Sequence, residues 1–204
     1  MITIYWYCHE TPNDEKFVAD SLNELAEHLK EETIKLNVTI KALRDEPDLV
    51  KEVNEILHKF TNPQYDAPNC NADIFFLLHK HSIMDTRMLI YLRPDSSIAE
   101  NVRRAVKRNT GLDNWGVTSG HTTLVYKHNK WIIWHEALHL LGVDECYDVK
   151  TRIRKPDCNC ETCIMQYEPS EKWVGEWSLC DKNIEVLQNL AEKVEQVRRD
   201  KKNS

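Results

Sequence analysis

No stretch of this chain approaches the 18 or more apolar residues that a membrane-spanning helix needs. Its first residues, MITIYWYCHE, lack the basic region and extended apolar region of a secretory leader. Basic charge is in deficit: 27 Lys and Arg against 33 Asp and Glu give a formal net charge of -6, which argues against a nucleic-acid or anionic-membrane partner. The local exception, Lys150, Arg152, Arg154 and Lys155, reads as a solvated loop. Internal repeats, low-complexity tracts and Gly/Ser linkers are also missing. A chain of 204 residues that is 41% hydrophobic can bury one good core, so a single, soluble, cytoplasmic and monomeric domain is expected. In a reducing compartment its seven cysteines are expected to be thiols or metal ligands rather than disulfides.

What is present is a regular alternation of periodicities. Residues 2–7 (ITIYWY) suit a buried first strand, and Val18, Leu22, Leu25 and Leu29 form a helical stripe over 15–30. Residues 34–42 alternate Ile34, Leu36, Val38, Ile40 and Ala42 with polar neighbours, as a half-buried strand does. A second helix is expected from Asp48 to Phe60, strands at 73–78 and 88–92, and a helix from about Ser97. A turn-rich stretch over 108–120 and a strand over 121–127 follow. Strands alternating with helices predict an α/β fold, a mixed twisted sheet with backing helices. A final helix from about Lys182 to Arg199 carries Ile184, Leu187, Ala191, Val194 and Val197 on one stripe, fit to dock on the core.

Chemistry concentrates in residues 129–146, NKWIIWHEALHLLGVDEC. Asn129 is a suitable N-cap, and nothing before Leu141 breaks a helix. His135 and His139, four residues apart, project from one face and can share an ion. Glu136 is offset by one position, beside that ion, where its carboxylate can take a proton from a metal-bound water. The pentapeptide alone has modest specificity. Gly142 then permits a left-handed turn at the helix end, and Glu145, three residues on, can swing back as a third ligand. Asp144 is its rival, one residue earlier.

HEALHLLGVDE resembles the metzincin signature, with glutamate in place of the usual third histidine. Cys163-Ile164-Met165-Gln166-Tyr167 looks like the metzincin Met-turn, with Met165 as its methionine. Cys146 and Cys163 fall where the archaemetzincins carry cysteines, which makes the resemblance closest to that family. It implies a zincin-like fold divided into an N-terminal subdomain, 1–142, including the active-site helix, and a C-terminal subdomain, 143–204. It also implies a second, structural zinc. Here the chain departs from the family: Cys180 is present, but Asn183 stands where a further cysteine would be, and Cys158 and Cys160 are extra. Cys160-x-x-Cys163 has the spacing of a turn that presents two sulfurs to one ion, so Cys146, Cys160, Cys163 and Cys180 are the expected ligands, with Cys158 as substitute for Cys160. Buried thiols or a disulfide are the alternative.

Tyr167 resembles a metzincin tyrosine that in some members reaches the metal or the tetrahedral intermediate; packing under the site is the other reading. Trp173 and Trp177 fall in the segment that walls the substrate pocket in metzincins, though packing is favoured. The remaining histidines, His9, His28, His58, His79, His81, His121 and His128, have no comparable ligand pattern. Together these readings predict a zinc peptidase acting on a peptide or protein, with Glu136 as general base. A zinc-binding regulatory protein with little turnover and a hydrolase of a non-peptide amide are the other two readings.

Overall fold

The computed structural model describes residues 2–62, 86–111, 113–166 and 177–203. The strand expected at 73–78 and the residues Tyr167, Trp173, His79, His81 and Cys70 lie outside them. Strands β1 (Ile2–His9), β2 (Val38–Ala42), β3 (Thr86–Leu92), β4 (Gly116–Ser119) and β5 (Thr122–Val125) form one sheet in the order β2-β1-β3-β5-β4. All pairs are parallel except β4 with β5. The fold class is therefore the expected mixed α/β sheet with backing helices.

Period-two patterning decides which face each strand residue serves. In β1 the alternate residues Ile2, Ile4, Trp6 and Cys8 are buried with Leu89, Tyr91 and Val125 under helices α1 (Glu15–Leu29) and α4 (Lys130–Leu140). Met88, Ile90, Leu92 and Leu124 face the other way, against α2 (Pro47–Lys59) and α3 (Ser97–Thr110). Helix α5 (Asp181–Asn203) docks on the first of these cores through Leu187, with Ile184, Ala191 and Val194 beside it, whereas Val197 is 42% exposed.

Two expectations are corrected here. The strand over 34–42 begins only at Val38, because Lys35 turns with φ 59° and the Lys35 and Leu36 N–H groups close the end of α1 on the Glu31 and Leu29 carbonyls. Those N–H groups cannot also serve the sheet. The turn-rich stretch before 121 contains β4, whose four residues are too few and too polar to show a period; it folds back on β5 through Gly120, which has φ 59°.

Helix α4 lies between the sheet and the C-terminal segment. Ile132, Ile133, Trp134, His135, Glu136, Ala137, Leu138 and Leu140 are all buried, so it carries no polar face. Asn129 caps it, its side chain accepting from the Trp131 N–H at 2.8 Å. The Trp134 indole N–H, which would be costly to bury unpaired, donates to the Ser21 carbonyl of α1 at 2.7 Å. At the other end Gly142 adopts φ 86°, the Val143 and Gly142 N–H groups return to the Leu138 and His139 carbonyls, and the Arg87 guanidinium donates to the Leu140 carbonyl at 2.7 Å. These contacts fix where the helix stops and which way the chain leaves it. Asn129→Ala should destabilise the protein by about 1 kcal/mol, read by urea denaturation; no change would mean that packing alone sets the start of α4.

Candidate metal centre

One turn of α4 places the His135 and His139 rings with their Nε2 atoms 3.2 Å apart. Each ring is oriented by its other nitrogen: His135 Nδ1 lies 2.9 Å from the Ile164 carbonyl and His139 Nδ1 lies 2.8 Å from the Val143 carbonyl. A carbonyl can only accept, so each Nδ1 holds a proton and each Nε2 is left to act toward the other ring. The turn at Gly142 brings Glu145 to this point, with Oε1 3.0 Å from His139 Nε2 and Oε2 3.3 Å from His135 Nε2. Ligands about 2.0 Å from a tetrahedral zinc would lie about 3.3 Å from one another, so the three side chains fit such an ion. Glu145 Oε2 is buried and meets no partner at good hydrogen-bond geometry, His135 Nε2 being its near polar neighbour, so a cation between them would satisfy it. Asp144 is exposed and holds only its main-chain carbonyl inward, on Asn183 Nδ2 at 3.1 Å.

With protons alone the centre is an ion pair. Burial opposes charge on His135, but the hydrogen bond and charge of Glu145 prevail and hold its pKa up at about 9. Burial likewise opposes the Glu145 carboxylate, which its hydrogen bonds to His135 and His139 nonetheless hold well below the usual range.

Glu136, the next residue on the helix, is buried and has two differently placed oxygens. Oε2 is 2.6 Å from Thr118 Oγ1 on β4 and 3.2 Å from Thr123 Oγ1 on β5. Oε1 makes no hydrogen bond among the described residues. The side chain lies against Gly116, where an added Cβ would stand 2.6 Å from Glu136 Cγ and Oε1. Glu136 lines a cleft with Trp115, Gly116, His135, Glu145, Tyr147 and Gln166. Gly116, Thr118 and Thr123 escaped the sequence reading because small residues in a short hairpin look like turn formers; the Thr-x4-Thr spacing across Gly120 was the available signal.

A second cluster lies next along the chain. Cys146 Sγ is 3.2 Å from Cys163 Sγ and 3.3 Å from Cys180 Sγ, and Cys158 completes a buried group whose sulfurs all lie within 4.8 Å of one another. Of the two cysteines the sequence offered for the fourth place, Cys158 rather than Cys160 has its sulfur in this group. The reason is the path of residues 147–158. The Tyr147–Arg154 bridge closes a short hairpin, and Arg154 Nη2 and Nε then donate to the Cys158 carbonyl at 2.7 and 3.0 Å, holding Cys158 inward. Cys160 is only half-buried, its carbonyl engaged by Gln166 Nε2 at 3.0 Å. Arg154 and Lys155, expected as mere solvated charges, thus brace the site, Lys155 Nζ donating to the Glu145 carbonyl at 2.9 Å.

The cysteine group shares its protons unequally. The hydrogen bond from Cys146 holds the Cys163 thiol down at about 5, and the same contact, followed by burial, pushes Cys146 up. A low-pKa sulfur among buried partners suits a thiophilic cation, with Zn–S about 2.3 Å. Asn183 Nδ2 lies 3.5 Å from Cys146 Sγ as a donor rather than a fifth ligand. Met165 is fully buried, and its carbonyl accepts the Cys146 N–H at 2.9 Å. Trp177 packs edge-on against Trp134 and His28, with ring centroids 5.1 and 5.2 Å away.

No protein-family model matches this chain, and no curated protein does. Among solved structures it is similar to the archaemetzincin of Methanopyrus kandleri, with 16% identity over 94% of this chain and 96% of that one, at a TM-score of 0.44. Among the described residues no helix is long and apolar enough to cross a membrane.

Two outcomes are expected of these centres. Because the His135 pKa is raised from 6.5 to about 9, the stabilising ion pair with Glu145 is complete below 6.5 and lost as the pH rises through 9. A metal must displace that proton, so zinc affinity at this centre should rise about tenfold per pH unit from neutrality and level off near 9. Chelator competition across that range reads the slope, and a flat profile would contradict the pairing. At the cysteine group, Cys158→Ser should lose the bound metal while Cys160→Ser keeps it, by metal analysis of the purified proteins; the reverse would restore the Cys160 assignment.

Proposed function

We propose that the chain is a zinc-dependent peptidase. The observation that carries this reading is the placement of Glu136: it lines one cleft with His135 and Glu145 and a second with His139 and Glu145, its Oε2 tethered to Thr118 and its Oε1 unbonded among the described residues. When bound there, zinc would supply the Lewis acid that activates a water and polarises the scissile carbonyl. The chain's own side chains supply the rest. Glu136 Oε1 accepts the proton of the attacking water as general base and returns it to the leaving amine. Thr118 and Gly116 keep that carboxylate from turning away, since its other oxygen is held and its stem has no neighbouring Cβ to push it aside.

The cysteine group supports a second, structural zinc. Cys146 follows Glu145 directly, and Cys163 precedes Ile164, whose carbonyl orients His135. An ion on these sulfurs would tie together the two segments that complete the first centre. Peptide bonds are the proposed substrate class because an ion with three protein ligands, a carboxylate base and an open cleft meets the requirements of amide hydrolysis. Four sulfurs from one segment and the start of α5 match the closed sites used for structure, not catalysis.

A peptide-library digest tests the activity. Wild-type protein should cleave, and Glu136→Gln should lower the rate by about 10²- to 10⁴-fold with zinc content unchanged. Gly116→Ala should act in the same direction by displacing the Glu136 side chain. A wild-type protein that carries zinc and cleaves nothing would overturn the peptidase reading in favour of a zinc-binding protein without turnover.

A further inference from the structure

We propose that Tyr147 is a positioning residue for the third ligand, holding one oxygen of the Glu145 carboxylate from outside so that the carboxylate meets the metal in one orientation. The inference rests on reading His135, His139 and Glu145 as a zinc centre and deepens it. Tyr147 Oη donates to Glu145 Oε1 at 3.1 Å, and the tyrosine is buried at 8% exposure on the wall of the cleft.

Its placement is rigid. Tyr147 pairs with Arg154, the Asp148 N–H donates to the Ile153 carbonyl at 2.8 Å, and the Lys155 N–H donates to the Cys146 carbonyl at 2.8 Å. The tip of this hairpin is closed by Asp148 Oδ1, which accepts from the Lys150 and Thr151 N–H groups at 3.1 and 2.8 Å. The hydroxyl therefore approaches Glu145 from a fixed frame.

The need for such a donor follows from the ligand type. An imidazole offers a metal one nitrogen, whereas a carboxylate offers two equivalent oxygens on a terminal torsion with only a soft preference. A catalytic zinc keeps one position open, and a carboxylate that supplied both oxygens would compete for it. Tyr147 breaks the equivalence. Oε1 carries the tyrosine hydrogen bond as well as facing His139 Nε2 at 3.0 Å, while Oε2 faces His135 Nε2 at 3.3 Å and has no such outer donor. A hydrogen bond to a ligand carboxylate of this kind fixes its orientation and adds to metal affinity.

Tyr147→Phe keeps the ring and its packing and deletes only the donor. With zinc itself as probe, chelator competition should show binding at the histidine centre weakened about 10- to 100-fold. The visible bands of the cobalt-loaded protein should also lose intensity, as they do when coordination number rises. The cysteine group's contribution is removed by difference against the His139→Ala protein. In a Glu145→Ala background the same substitution should change neither reading, because its partner is gone. Unchanged zinc affinity and cobalt bands in Tyr147→Phe, or an equal loss in the Glu145→Ala background, would overturn the proposal. A wild-type protein that binds zinc but cleaves no peptide would sink the peptidase reading and leave the Tyr147 result standing.

Discussion

Two imidazoles, one buried and one partly so, with their Nε2 lone pairs aimed at each other repel unless something positive lies between them, and the rest of this site is arranged around that constraint. His135 and His139 are held in this arrangement from behind, by the Ile164 and Val143 carbonyls, and neither ring can turn away without leaving a buried N–H unpaired. A proton shared with Glu145 resolves the conflict in one way, and a cation would resolve it in another. The two carbonyls come from different places, one from the turn that ends α4 and one from the segment beside Cys163. Where the chain runs after Gly142 thus decides whether the two rings and Glu145 can meet, and the left-handed glycine is as necessary to that meeting as the histidines are.

The same segment couples the two candidate centres. Glu145 and Cys146 are consecutive, so the side chain of one reaches the imidazoles while that of the other reaches Cys163 and Cys180. The Cys146 N–H is bound to the Met165 carbonyl, which draws residues 145–146 and 163–165 together even without an ion. Anything that loosens the cysteine group therefore moves both Glu145 and the carbonyl that orients His135. A chain with a smaller hydrophobic core under this segment has reason to hold it with sulfur and metal, since few apolar side chains come from residues 144–166.

How much of this was legible in the sequence depended on whether a residue acts through its spacing or through its path. Periodicity revealed α1 and α2, because their buried faces recur every three or four residues, whereas α4, buried all round, was legible from the Asn129 cap, the unbroken run after it and the Gly142 turn. His135, Glu136 and His139 share one helix and Glu145 follows the turn that ends it, so the first three meet by helical geometry and the fourth by the Gly142 turn. Both Cys158 and Cys160 were named from the sequence, but the choice between them was not legible, since it depends on the route of a hairpin closed by Tyr147, Asp148 and Arg154. Nor were Thr118 and Gly116, which reach Glu136 only because β4 pairs antiparallel to β5 at the sheet edge beside α4.

The glutamate at the third position changes what the neighbouring residues must do. Two neutral imidazoles and one carboxylate leave a dication with one net positive charge, and a lower charge acidifies a ligated water less than three imidazoles would allow. Two histidines and a glutamate are also the zinc ligands of some known peptidases, so the lower charge does not by itself abolish reactivity. Donors on the carboxylate offset part of the difference by drawing its electron density away from the ion. Glu145 has such a donor in Tyr147, while Lys155 holds its main-chain carbonyl. Both come from residues 147–155, the hairpin that also delivers Cys158. Glu145, its donor Tyr147 and Cys158 are therefore held by one hairpin and the residues that flank it, and a change in that hairpin reaches all three.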